Sequence, residues 1–289
     1  MLRAWRPFQA SLLVFGLTVD VDGYSQVDHS GSLFLSVAGG SALPFGSYAG
    51  KLDESNSATT PVLGGAQPGY SLSASASFWF LPKLGVVATA NVEGGKGSTT
   101  QYGVPPWLCE PCGHGYIAPQ HVTSNSDAGT WSATSIMVGL VYAVRSNDPF
   151  IVARAMIGSQ QLLWPSATYS EQGEQLVLIG TPPYSIGTFT RSIEQQSMTA
   201  TSTVHALGME IMHRLGGRMS ITGSLDVLFG GAKFEGRQVM RFDGATQSNA
   251  DLHSYRETEL KLNVGSTRSL VQIGLALELV RPSEMGLTP

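Results

Sequence analysis

Two cysteines and two histidines fall within thirteen residues, in Cys109-Glu-Pro-Cys112-Gly-His114 and His121. Thiolate and imidazole donors at such spacing suit zinc or another soft metal. These are also the only two cysteines of the chain, and in an oxidising compartment a short disulfide loop uses the same pair. Gly113 separates Cys112 from His114, which departs from the C-x-x-C-H of haem attachment. Disulfide and metal site both stay open. A second candidate is His205, with Ser202 and Thr203 close by. A histidine with a hydroxyl partner and a carboxylate can hydrolyse an ester, but no acid can be placed beside His205 from sequence. An ordinary interfacial histidine is the competing reading. The glycine-rich pieces Gly94-Gly-Lys-Gly97 and Gly216-Gly217 precede no helical pattern, so they lack the helix N-terminus that cradles phosphate. No cofactor is implied.

These residues hang on a chain whose composition excludes several classes. Of 289 residues, 13% are charged, about half the share usual in soluble domains. Mean hydropathy is only +0.06, and no run approaches the roughly 20 apolar residues of a membrane helix. A disordered chain would carry more charge. A net charge of −4 offers no electrostatic footprint for nucleic acid. The 34 glycines, with many serines and threonines, point to strands and turns.

The clearest element is 70–81. Tyr70, Leu72, Ala74, Ala76, Phe78 and Phe80 share one parity, and Ser71, Ser73, Ser75 and Ser77 the other. Such alternation belongs to a strand. Similar patterns place eight strands near 31–45, 70–81, 85–95, 130–144, 150–164, 198–213, 218–235 and 259–280. Three connections are short: 82–84, 145–149 and 214–217. Four are long: 46–69, 96–129, 165–197 and 236–258. Strict alternation of short and long predicts an antiparallel up-and-down meander with all short turns at one end. In the third long connection, Leu176-Val-Leu-Ile-Gly180 is expected to extend the sheet or to pack on the barrel or a partner.

Which face meets water decides the class. In a soluble barrel the face opposite the apolar one carries Lys, Glu, Asp and Arg, whereas here it carries mostly Ser, Gly, Ala and Thr. Small side chains suit the lumen of an eight-stranded barrel, and an apolar face of about ten residues suits a tilted membrane strand. Taking the apolar parity as outward sends Glu93, Arg154, Glu210, Asp226, Arg268 and Glu278 inward. An outward Arg at the bilayer midplane costs about 2–4 kcal/mol, so this segregation is expected of a membrane wall. Arg154 and Glu210 sit at similar heights on adjacent strands and are expected to form an internal ion pair. Aromatic girdles are expected from Phe78, Phe80 and Tyr142 at the short-turn end and from Phe45, Tyr70 and Phe229 at the other. Lys83, Arg145, Arg214, Arg218 and Arg281 gather at the short-turn end, within reach of headgroups. Strand five fits less well: Phe150 and Trp164 share the inward parity of Arg154, which suggests a bulge or a register error.

With these features the chain resembles the OmpA/OmpX-type superfamily of small outer-membrane barrels over residues 31–281, by architecture and without a signature motif. The resemblance implies short periplasmic turns, long extracellular loops and no open pore. The sequence departs from it in closing on Arg281 to Pro289 without a terminal aromatic, and no peptidoglycan-binding segment is expected. Arg3 and Arg6 followed by the apolar stretch Ala10–Val19 read as a signal peptide over 1–26, leaving 27–289 as one barrel domain. The expectation is a bacterial outer-membrane barrel in contact with outer-membrane lipids. Its role would be structural or surface-interacting, or that of an accessory subunit meeting a protein partner. The alternatives are a lipid-modifying hydrolase using His205, a narrow channel, or a soluble lipocalin-like carrier.

Overall fold

The computed structural model describes residues 29–49, 62–63, 65–98, 101–102, 117–177, 185–245 and 252–280. The segment read as a signal peptide, Cys109, Cys112, His114 and Arg281 lie outside them. Among the described residues the chain is an all-β antiparallel protein. In chain order its strands are β1 (Leu33–Phe45), β2 (Val62–Leu63), β3 (Gly69–Trp79), β4 (Leu84–Lys96) and β5 (Gln101–Tyr102). Then come β6 (Ile117–Ala128), β7 (Thr130–Arg145), β8 (Phe150–Trp164), β9 (Ala167–Val177) and β10 (Ser185–Gln195). The last are β11 (Met198–Gly216), β12 (Met219–Ala245), β13 (Leu252–Gly265) and β14 (Thr267–Val280). One 3-10 turn, Gly46–Ala49, follows β1.

Pairing runs β11-β8-β7-β4-β3-β1-β14-β12, and β12 pairs with β11 in turn. The ladder therefore returns to the strand from which it starts. Short turns make this possible. Between β11 and β12 the chain reverses at Gly217, whose φ of 53° a side chain would strain.

Above this ring the pairing continues in two places: beyond β3 and β4 an Ala66–Gly97 bridge and the short β2–β5 ladder follow, and beside β12 a larger sheet rises. β13, β12, β10, β9 and β6 lie side by side in that order, while β1, β3 and β4 stop near Phe45, Gly69 and Lys96. The upper strands inherit their alignment from below. β6 and β9 keep the register of β7 and β8, and β9 and β10 keep that of β8 and β11. β13 continues β14 along β12. All four stretches expected as loops, 46–69, 96–129, 165–197 and 236–258, thus carry strands, the first only the two residues of β2. Leu176 and Val177 close β9, so that part of the third connection extends the sheet.

Two expectations are corrected. The segment 259–280 is not one strand: it breaks at Ser266, whose N–H donates to the Gly230 carbonyl at 2.8 Å, and the pairing resumes beyond it. Nor does strand five bulge. β8 runs in unbroken register against β11 from Phe150 to Trp164; the irregularity opposite its start lies in β7, between Ala143 and Arg145, and both aromatics are buried.

Candidate functional site

Two surfaces are set by the alternation of the ring strands. Outward positions are apolar: Leu35 and Val37 on β1, Ile136, Val138 and Leu140 on β7, Val271, Ile273 and Leu275 on β14. Val138 is 57% and Ile273 69% exposed. Along β12 the outward series Met219, Ile221, Leu225 and Val227 gives way to Lys233, Glu235, Arg237 and Arg241. On the neighbouring strands Tyr255, Glu257, Glu259 and Lys261 sit above Val271 to Leu279. The apolar stretch spans about ten residues per strand, which at about 3.3 Å per residue and a tilt near 40° is a band about 25 Å tall. Phe45, Tyr70, Phe78, Phe80 and Tyr142 are exposed at its margins.

Inward positions fill the lumen in layers. At the short-turn end His29, Phe34, Trp79 and Phe150 stack together, with His29 and Phe150 centroids 4.4 Å apart and Trp79 and Phe150 5.2 Å apart. Glu278 lies just above, accepting from Ser32 at 3.3 Å and facing Arg214 at 3.6 Å. Next comes Arg154, donating from Nε to Asp226 Oδ1 at 2.7 Å, from Nη2 to Asp226 Oδ2, and from Nη1 to Glu210 Oε2 at 2.9 Å. The ion pair expected between Arg154 and Glu210 therefore has a third member.

Polar pairs occupy the middle. Ser73 donates to Gln272 at 2.9 Å, and Asn91 to Ser135 at 3.3 Å. Higher still, Arg268 is wholly buried and reaches across the lumen to Glu93 Oε2 at 2.7 Å. Its Nη2 donates to Gln160 Oε1 at 2.9 Å, and Gln160 donates in turn to Ser266 at 2.7 Å and Ser202 at 3.0 Å. Glu93, Arg154, Asp226, Arg268 and Glu278 are buried and Glu210 nearly so, each within reach of an opposite charge.

A residue that sequence reasoning passed over closes the top. Tyr48, in the 3-10 turn after β1, is fully buried with its ring 5.8 Å from the Arg268 guanidinium carbon. It meets Trp131 and Trp164 edge-on at 5.8 and 6.2 Å, and its hydroxyl donates to the Ser132 carbonyl at 3.4 Å. Ser47 holds the turn through both the N–H and the carbonyl of Gly265. Burial pushes the Tyr48 phenol above its ordinary pKa, Arg268 opposing and Glu93 adding to the shift. Nothing in the stretch 46–69 flagged it, because a lone aromatic in a polar connection has no periodicity to betray its direction.

His205 faces outward on β11 and stacks on its register partner Phe229, with centroids 5.6 Å apart. Ser202 faces the opposite way, into the lumen. The pairing of His205 with Ser202 is therefore corrected: alternate residues of a strand point to opposite faces. His121 lies in β6 by its backbone. Among the described residues no three His, Cys, Asp or Glu side chains group as metal ligands.

No family model matches the chain, and no curated protein sequence does. Among solved structures it is similar to a major outer membrane protein from Thermus thermophilus. That match has 11% identity and a TM-score of 0.37, covering 86% of this chain and 99% of that one. It is also similar to the outer membrane protein OprG from Pseudomonas aeruginosa, with 9% identity, a TM-score of 0.26 and coverage of 87% and 99%. A third is the outer membrane protease OmpT from Escherichia coli, with 7% identity, a TM-score of 0.27 and coverage of 89% and 99%. At such scores these likenesses carry no argument about architecture or activity.

Proposed function

We propose that the chain is a bacterial outer-membrane protein of the small, OmpA/OmpX-like kind. On this reading an eight-stranded up-and-down transmembrane barrel places short turns in the periplasm and the upper strands outside. The observation that carries it is the outer wall. Nearly every large exposed apolar side chain lies on the ring strands or their short turns, while the charges of those strands within the apolar band turn inward. A soluble monomer rarely exposes an apolar patch beyond a few hundred Å². Lipid also demands that every backbone group find a partner within the protein, and a ladder that returns on itself meets that demand.

The role that fits is non-enzymatic: a structural or surface-interacting barrel, or an accessory subunit that meets a partner through the sheet above the membrane. Among the described residues two aromatic plugs and two ionic layers occupy the lumen, which speaks against a diffusion channel. The same filling speaks against a lipocalin-like carrier, which needs an internal cavity for its ligand. Residues 1–26 serve as the export signal in this reading, and 27–289 form one domain.

The test is to refold the chain in detergent and compare its gel mobility before and after boiling, with circular dichroism on the same sample. A β spectrum with a heat-dependent shift is expected. A water-soluble β protein that needs no detergent and shows no shift contradicts the reading.

A further inference from the structure

We propose that the outer wall carries a binding site for one anionic phospholipid at the seam between β4 and β7. Lys83 and Arg145 take the phosphodiester and a recess above them takes an acyl chain. The inference rests on the membrane reading given above and adds a ligand to it.

The wall is not uniformly filled. Ala76 on β3 and Ala88 on β4 are register partners, and Ala88 is also the partner of Val138 on β7. Two adjacent alanines leave a hollow between larger neighbours. Phe78, Val86, Leu140 and Ile157 bound an open recess of about 510 Å³ there. It lies within the apolar band, so its natural occupant is hydrocarbon.

Directly beneath stand two cations. The Lys83 carbonyl accepts from the Ala143 N–H at 2.9 Å, which fixes Lys83 beside the end of β7, two residues from Arg145. Both therefore belong to one seam. Ala88 lies five residues above Lys83, about 17 Å along a strand at 3.3 Å per residue, well within the length of an acyl chain. Tyr142, the register partner of Leu84, is half-exposed at the level between them, where a phenol meets headgroups.

The cations are not already neutralised. Among the described residues no carboxylate is in ion-pair contact with Lys83 or Arg145. The acid on the adjacent turn, Asp148, spends its side chain on His213 Nδ1 at 3.0 Å and the Arg214 N–H at 3.2 Å. To Arg145 it offers only its main-chain carbonyl, at 3.4 Å. A zwitterionic lipid could fill the recess equally well, but it brings its own cation to the headgroup. Two unneutralised basic groups at the lower margin therefore select a net-negative headgroup.

The test uses the full chain refolded in detergent, with either dioleoyl-phosphatidylglycerol or dioleoyl-phosphatidylcholine added and the retained lipid counted by native mass spectrometry. Wild type is expected to keep the phosphatidylglycerol preferentially. The double variant Lys83→Gln/Arg145→Gln is expected to lose that preference by about fivefold for each cation removed, with its heat-dependent gel shift intact. Ala88→Trp, which fills the recess, is expected to lose both lipids. Equal retention of the two lipids by a folded, gel-shifted wild type overturns the site alone, as does undiminished retention by the double variant. Absence of any gel shift overturns the membrane reading and the site with it.

Discussion

Arg154 and Asp226 meet across a strand that belongs to neither of them. Arg154 is on β8 and Asp226 on β12, and each is a register partner of Gly208 on β11, which runs between. A Cβ at Gly208 would lie 1.9 Å from Asp226 Oδ1. The missing side chain is what lets guanidinium and carboxylate close over the backbone at 2.7 Å. Glu210, two residues further along the same face of β11, completes the trio.

Removing the cation leaves two buried carboxylates side by side. Arg154→Met is therefore expected to lower stability by about 3–5 kcal/mol, the usual cost of stranding one partner of a buried pair. Gly208→Ala breaks the same contact without changing any charge and should also shift the unfolding midpoint downward. Urea titration of the refolded protein checks both. A midpoint unchanged in either variant means the trio does not hold the barrel together.

Tyr48 is expected to act as the upper stopper. Trp131 and Trp164 are wholly buried beneath it, so Tyr48→Ala should raise the quenching of tryptophan emission by acrylamide without altering the β spectrum. Because burial raises its folded pKa above the unfolded value, the neutral phenol's contribution is fully present below the ordinary tyrosine range. It is lost as pH rises through the folded value. In an absorbance titration one tyrosine should resist ionisation at alkaline pH, and Tyr48→Phe should abolish that resistant fraction.

On the outer wall a charge should be costly where lipid lies and tolerated above it. Ile273→Arg, in the apolar band, is expected to destabilise the lipid-refolded protein by about 2–4 kcal/mol. Thr199→Arg, outward on β11 beyond the band, should fall within about 0.5 kcal/mol of wild type. Equal, small effects from both substitutions would mean that water bathes the whole wall.

His205→Ala should leave any activity on lipid esters where the wild type has it, at background. Its serine neighbour is committed to Gln160 inside the lumen. The His205 ring stacks on Phe229, and among the described residues no carboxylate pairs with it. Turnover by the wild type that disappears in this variant would restore the hydrolase reading.

How much of this is legible in the sequence follows from where the two faces of a strand differ in polarity. Between Tyr70 and Trp79 one face is apolar and turned outward and the other lines a polar lumen, so the alternation of Ala, Leu and Phe with Ser is plain to read. β9 and β10 lie beyond the apolar band. There Thr168, Ser170 and Gln172 alternate with Tyr169 and Glu171, and polar residues on both faces leave no contrast to detect. The Arg154–Glu210 pair was reachable because adjacent strands set its height. Asp226 was not, since its contact depends on a glycine two residues from Glu210 rather than on any charge pattern. Phe150 and Trp164 misled in the opposite sense. Large aromatics at lumen parity suggest a register error unless the lumen is known to be plugged at both ends.

The most direct measurement of the central claim is spin-label accessibility in lipid vesicles, with Cys109 and Cys112 replaced by serine and single labels placed along 136–144 on β7. Labels at Ile136, Val138 and Leu140 are predicted to be reached by oxygen dissolved in the bilayer and shielded from a water-soluble nickel chelate. Those at Met137 and Val141 should be shielded from both, a period of two residues across the strand. If the nickel chelate reaches Val138 as freely as it reaches a label at Lys233, the apolar face meets water and the transmembrane barrel is wrong.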